Sequence, residues 1–261
     1  MELSGLYENG ILSLITSEDP NTLYAMSYAI AFNSTDEGRN WSQLDVGRIL
    51  AVDPQDPNTI YGTGGIKSTD GGESWAKLIL PQPVWVSALG IDPQNRNRLY
   101  AGAVQDKTLL VLKSLDGGIS WTSMTLGSSL GSEPYDSFYM ERFVVDPKNP
   151  STVYALAGCD GFDGCAAAPP SFKSTDGGTS WASWDLPVDT AYLTIDSEGT
   201  IYLVTVTGLF KSADSGATWS VVTNSGLTSG ISVLAVDPRH PNHFFAGTYG
   251  GGVFEITLVE E

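Results

Sequence analysis

The sequence predicts an all-β fold, a six-bladed β-propeller of four-stranded antiparallel blades, on three observations. An eight-residue frame, Ser-x-Asp-x-Gly-x-(Ser/Thr/Asn)-Trp, occurs five times: Ser34–Trp41, Ser68–Trp75, Ser114–Trp121, Ser174–Trp181 and Ser212–Trp219. A second signature precedes each frame, clearest in Leu50–Pro54 followed by Pro57–Tyr61, where a short apolar strand, a Pro/Asn turn and another strand succeed one another. The frame aspartates, Asp36, Asp70, Asp116, Asp176 and Asp214, are 34, 46, 60 and 38 residues apart. Those intervals exceed leucine-rich and ankyrin periods and suit four-stranded blades, and strand-length segments without helical periodicity argue against a helical solenoid.

Each element follows from local chemistry. In the frame, Gly supplies positive φ, the Ser and Asp side chains can bond nearby backbone N–H groups, and Trp opens the next strand, so the frame is a tight turn between two strands. The first-strand signature recurs at Leu89–Pro93, Val144–Pro147, Leu193–Asp196 and Leu234–Pro238, with a looser copy at Leu12–Pro20, which makes six units. The expected blades are 11–45, 46–80, 86–125, 140–185, 190–223 and 231–261 within one domain of 261 residues. The sixth unit stops without a frame or fourth strand, so segment 1–7 is expected to complete it. Tyr24, Tyr61, Tyr100, Tyr154, Tyr202 and Phe245 on the second strands are expected in the core, as are Leu44, Leu78, Met124, Trp184 and Val222, three residues after each frame tryptophan.

Charge narrows the partners. Thirty acidic against thirteen basic residues give a net charge of −17, which disfavours nucleic acid and anionic membranes. No apolar run reaches the length of a transmembrane helix, and residues 1–10 lack the basic start and apolar core of a signal peptide, so any export signal is expected outside this sequence. The two cysteines, Cys159 and Cys165, flank Asp-Gly-Phe-Asp-Gly. A metal pair would need further ligands nearby, whereas a disulfide closing a Gly-rich loop needs none, and it points to an oxidising, extracellular or periplasmic compartment.

The five frames resemble those of the Asp-box (BNR-repeat) β-propeller superfamily, with its sialidase, xyloglucanase and sortilin-like repeats, and the match runs through nearly the whole chain. The resemblance implies that the frames lie between the third and fourth strands of each blade, opposite the usual binding face. It implies no single activity, because the group includes sialidases, xyloglucan-cleaving hydrolases, sortilin-type receptors and a photosystem II assembly factor.

Function is therefore sought in what the repeat leaves over. Three insertions interrupt it: Val104–Leu110, Thr125–Met140 and Gly158–Ser171. In a propeller these positions emerge on the face away from the frames, and they carry Asp106, Lys107, Glu133, Tyr135, Asp136, Tyr139, Asp160, Phe162 and Asp163, with Trp85 arriving from the preceding connection. Carboxylates beside aromatic rings suit sugars, whose hydroxyls bond the acids while the apolar ring face stacks. The plainer reading is that long acidic loops are solvated and their aromatics pin them down. Arg48, Glu141, Arg142 and Ser232 are expected to rim a central mouth. His240 and His243 fall among the turns near the frames, and no Ser/His/Asp grouping is readable.

Each frame aspartate has a structural reading, since one carboxylate per turn falls short of the converging oxygens a hard cation needs. No metal or other cofactor is expected; calcium on Asp160-Gly-Phe-Asp163 is the weaker alternative, with only two carboxylates. The leading functional reading is a monomeric, non-catalytic binding module presenting this rim to a glycan or a protein. The enzymatic alternative is a glycoside hydrolase with paired carboxylates drawn from Glu133, Asp136, Glu141, Asp160 and Asp163. Sialidases of this fold need an arginine cluster that is not evident here, and xyloglucanases place their site between two propellers. An assembly or scaffold factor is the third reading.

Overall fold

The computed structural model describes residues 13–16, 19, 21–26, 30–128, 137–159, 168–186, 190–205, 208–222, 231–237, 240–248 and 252–257. They form six antiparallel sheets, each built from strands consecutive in the chain, and no helix. This is the six-bladed β-propeller class. The first sheet holds β1 (Ser13–Thr16), β2 (Leu23–Met26), β3 (Ala31–Ser34) and β4 (Ser42–Leu44). The second holds β5 (Ile49–Asp53), β6 (Asp56–Gly62), β7 (Ile66–Ser68) and β8 (Ala76–Lys77), and the third β9 (Trp85–Asp92), β10 (Asn95–Gln105), β11 (Thr108–Ser114) and β12 (Thr122–Ser128). The fourth comprises β13 (Phe138–Val145), β14 (Val153–Cys159), β15 (Ser171–Ser174) and β16 (Ala182–Ser183). The fifth comprises β17 (Thr190–Ile195), β18 (Ile201–Thr205), β19 (Gly208–Ser212) and β20 (Ser220–Val221). The sixth has three strands among the described residues: β21 (Ile231–Asp237), β22 (His240–Thr248) and β23 (Gly252–Thr257).

Contacts divide the chain into two compact units, one of residues 1–143 and 155–169, the other of 144–154 and 170–261. In the first, one core lies between the first two sheets, where Tyr24, Met26, Ala31, Leu44, Ile49 and Ile60 are buried together. A second forms around Tyr61, Val86, Leu89, Leu99, Leu112 and Trp121. In the other unit, Tyr202, Val204, Leu209, Ile231, Leu234 and Phe244 pack between the fifth and sixth sheets. The hydrophobic material thus sits between successive sheets, as expected when each repeat cannot bury its own faces.

The repeated turn links the third and fourth strands of its sheet in all five copies. Ser68 Oγ donates to Asp70 Oδ1 at 2.7 Å and accepts from Gly72 N at 2.9 Å. Asp70 in turn accepts from Ser74 N at 2.9 Å and Ser74 Oγ at 2.5 Å, while Trp75 Nε1 donates to Gly72 O at 3.1 Å. Gly72 sits at φ +96°, and a Cβ there would lie 2.8 Å from Leu44 Cδ2 of the first sheet. The position demands Gly both for its backbone and for its neighbour. Further bonds join one repeat to the next: Tyr24 Oη donates to Pro57 O at 2.7 Å, Lys67 Nζ to Gly117 O at 3.2 Å, and Lys173 Nζ to Ser215 O at 2.6 Å.

Three sequence expectations need correction. Val104–Leu110 is not a loop insertion; β10 and β11 pair through Gln105↔Thr108, and Asp106 and Lys107, at φ +48° and +63°, make a two-residue turn. Phe245 is 44% exposed, and its neighbour Phe244 is the buried aromatic, edge-on to Tyr202 at 4.7 Å. Alternation along β22 sends the two rings to opposite faces, and nothing among the described residues covers Phe245 as the second repeat covers Tyr24. Met124, 36% exposed, lies on the outermost strand of its sheet, where residues 122–125 all face solvent. The proposed completion of the last blade by segment 1–7 lies outside the described residues.

Candidate functional site

The frame aspartates are occupied by their own turns. Hydrogen bonds from Asn40, Ser74, Ser120 and Thr218 hold Asp36, Asp70, Asp116 and Asp214 down to about 2, and bonds from Ser180 lower Asp176 as well. Carboxylates so stabilised in the ionised form are poor proton donors and weak bases near neutral pH. His243 Nε2 lies 2.7 Å from Glu255 Oε1 on the last sheet, apart from the remaining candidates. Among the described residues no three His, Cys, Asp or Glu side chains converge as a metal group would require.

The other described candidates lie in the first unit. Trp85 is the first residue of β9 and is 67% exposed. Its ring lies over Gly64: a Cβ at that position would be 3.0 Å from Cζ3 and 3.2 Å from Cη2. Gly64 and Gly65, at φ +80° and +75°, form the turn between β6 and β7, and Gly64 N donates to Val86 O at 2.9 Å, fixing the turn beneath the indole. The groove beside the ring, of about 690 Å³, is lined by Lys77, Ile79, Pro81, Pro83 and Val104 among others. Val104 pairs with Trp85 across the sheet, and Asp106 and Lys107 follow it at the exposed hairpin tip.

Arg48 adjoins the same turn. Thr63 N donates to Arg48 O at 2.9 Å, and Arg48 N to Thr63 Oγ1 at 3.3 Å, one residue before Gly64. β5, which follows Arg48, packs on β9, and Ser87 Oγ of β9 donates to Met140 O of β13 at 2.7 Å. β13 carries Tyr139, Glu141 and Arg142. Tyr139 and Glu141 converge over Gly158 of β14, where a Cβ would lie 2.8 Å from both the Tyr139 hydroxyl and Glu141 Oε2. Glu141 keeps open surface, yet the surrounding protein desolvates its carboxylate and raises its pKa, an effect that the Arg142 and Arg48 guanidiniums oppose.

Trp85, Arg48, Tyr139, Glu141, Arg142, Asp106 and Lys107 all fall in the first unit. Glu133, Tyr135, Asp136, Asp160, Phe162, Asp163 and Cys165 lie outside the described residues, as does the side chain of Ser232. Cys159 is disulfide-bonded, and Cys165 is the only other cysteine in the chain. Sequence reasoning missed the Gly64-Gly65 seat and the Pro81-Gln82-Pro83 wall. The paired glycines between two short strands and the Pro-x-Pro run were the available signals.

No family model matches the chain. It is 27% identical to a xyloglucanase of Paenibacillus sp over an alignment that covers 80% of this chain and 24% of that protein. It is 25% identical over 241 residues to xyloglucanase Xgh74A of Acetivibrio thermocellus, covering 76% of this chain and 27% of that one. The chain therefore spans about a quarter of the length of the curated relatives it matches. Among solved structures, an ancestral GH74 enzyme superposes with a TM-score of 0.69 at 22% identity, over 94% of this chain and 36% of that one. That superposition agrees with the propeller fold read from the sheets.

Proposed function

We propose that the chain is a glycan-acting β-propeller of the xyloglucanase type, which holds a neutral β-linked glycan across Trp85 and takes part in its hydrolysis. The observation that carries the reading is the Trp85 indole: one face is seated on Gly64 and the ring is 67% exposed beside a groove. A pyranose presents an apolar face of C–H groups to such a ring, while its hydroxyls bond the polar groups around it. The similarity to two xyloglucanases favours hydrolysis over the non-catalytic module expected from sequence.

In this reading Glu141 is the proton donor. Desolvation raises its pKa, the direction a general acid requires. The second carboxylate comes from Glu133, Asp136, Asp160 or Asp163, and its distance from Glu141 decides between retention and inversion at the anomeric carbon. The disulfide at Cys159 fits an extracellular or periplasmic setting.

The test incubates the chain with tamarind xyloglucan and mixed-linkage β-glucan, follows released oligosaccharides by mass spectrometry, and measures binding of xyloglucan oligosaccharides by calorimetry. Products lost in Glu141→Gln, with binding lost in Trp85→Ala, establish the reading. Binding without products returns the chain to the non-catalytic module, and absence of both overturns the glycan assignment.

A further inference from the structure

We infer that Arg48 forms an anion-reading subsite beside Trp85, so that the glycan taken there is a mainly neutral chain carrying isolated carboxylates, such as uronic acid residues. The inference rests on the proposed role of Trp85 as a sugar platform.

Arg48 differs from the other arginines among the described residues. Arg39, Arg96 and Arg98 each hold a carboxylate oxygen, of Glu37, Asp53 and Asp92, at 2.5, 2.8 and 2.9 Å. Arg142 is engaged as well. The Arg48 side chain is exposed and makes no hydrogen bond or ion pair among the described residues, although thirty acidic residues are available in the chain. A guanidinium without a partner among the described residues has its five donors available for a planar anion, which it grips through two parallel bonds.

Its placement relates that anion to the sugar. The backbone of Arg48 is bonded to Thr63, the next residue is Gly64, and Trp85 lies on Gly64. The guanidinium also acts on Glu141 of β13, beyond β9, without forming an ion pair with it. A sugar stacked on the indole meets the ring with its flat face and Arg48 with an edge, where C6 of a hexose carries either a hydroxyl or, in a uronate, a carboxylate.

Net charge sets the density of those carboxylates. At −17 the protein repels a polyuronate along its whole length. At physiological ionic strength screening acts within about 8 Å, so one carboxylate in contact with Arg48 feels chiefly the guanidinium. Sparse acidic substituents on a neutral backbone satisfy both conditions.

The experiment compares cellotetraose with the same tetrasaccharide in which one residue is oxidised at C6 to glucuronate, by calorimetry at low salt. The wild-type chain is expected to bind the uronate about tenfold more tightly, the scale of one bidentate charge-assisted contact. Arg48→Gln removes that preference, with neutral binding falling less than uronate binding; Arg48→Lys retains part of it, and 0.5 M NaCl shrinks it in the wild type and in Arg48→Lys. Equal affinity of the wild type for both sugars, or equal loss of both in Arg48→Gln, overturns the subsite. Trp85→Ala tests the underlying reading separately: cellotetraose binding that survives this change sinks the platform and leaves the arginine result to stand or fall by itself. Uronate binding that depends on Arg48 without any cellotetraose binding supports the subsite against the neutral-glycan reading, and failure of both sugars to bind overturns the two together.

Discussion

The Trp85 ring rests on the one residue type that can lie beneath it: a Cβ at Gly64 would stand 3.0 Å from Cζ3 and 3.2 Å from Cη2. Gly64→Ala is therefore expected to act twice. At φ +80° an alanine is strained, costing about 1 kcal/mol in stability, and its methyl tilts the indole away from the groove. Xyloglucan-oligosaccharide affinity should fall by an amount approaching that of Trp85→Ala. Unchanged affinity in a folded Gly64→Ala variant would show that the ring's orientation does not matter for binding.

The aspartates of the repeated turns supply an acid-sensitive component of stability. Asp36, Asp70, Asp116 and Asp214 sit at about 2 in the folded chain, below the ordinary value of 3.8. Depressed folded values mean that the unfolded chain binds more protons in this interval, so stability is full above about pH 5 and falls as pH drops toward 2. Calorimetric scans should show Tm level down to about pH 5 and declining below. Asp70→Asn flattens that decline, and an unaltered slope would refute the linkage.

Lys67 ties two repeats together, donating to Gly117 O of the next repeated turn while its Nζ lies 5.3 Å from the Tyr61 ring centroid. Burial lowers its pKa, so the ammonium is held by these partners rather than by water. Lys67→Met keeps the stem and removes the charge-assisted bond, with an expected loss of about 1 kcal/mol in urea denaturation. A neutral result would make the bond incidental to the packing of the second and third sheets.

How far the sequence carried can be judged residue by residue. The turns were legible because Ser, Asp, Gly and Trp bond within eight residues of one another, and Tyr24, Tyr61, Tyr100, Tyr154 and Tyr202 are buried as their recurrence on second strands implies. Phe245 was misjudged because a repeat fixes which residue is equivalent, not which neighbour covers it. Phe244→Ala should cost about 3–5 kcal/mol as a buried ring, whereas Phe245→Ser should cost under about 1 kcal/mol. Trp85, Arg48 and Glu141 could be nominated as leftovers from the repeat. The Gly64–Val86 backbone bond and the Ser87–Met140 side-chain bond that tie their strands together run between sheets, which no pattern within a single repeat encodes.

Glu141 offers a test that needs no ligand. Its folded pKa is raised, chiefly by desolvation, with Arg142 and Arg48 pulling the other way. A carboxyl raised on folding takes up protons in the native state, so its contribution is most favourable at low pH and is lost as pH rises through the folded value. Glu141→Gln keeps the shape and removes the ionisation, and is expected to raise Tm at pH 7 with the gain fading toward pH 4. Arg48→Gln has the opposite effect at pH 7, because it withdraws one of the two cations that favour the ionised form. A protein that retains a destabilising acid between two guanidiniums, and becomes more stable without it, shows the trade of stability for activity found at functional sites. If Glu141→Gln instead lowers Tm at neutral pH, the carboxylate serves the fold and the proton-donor role falls.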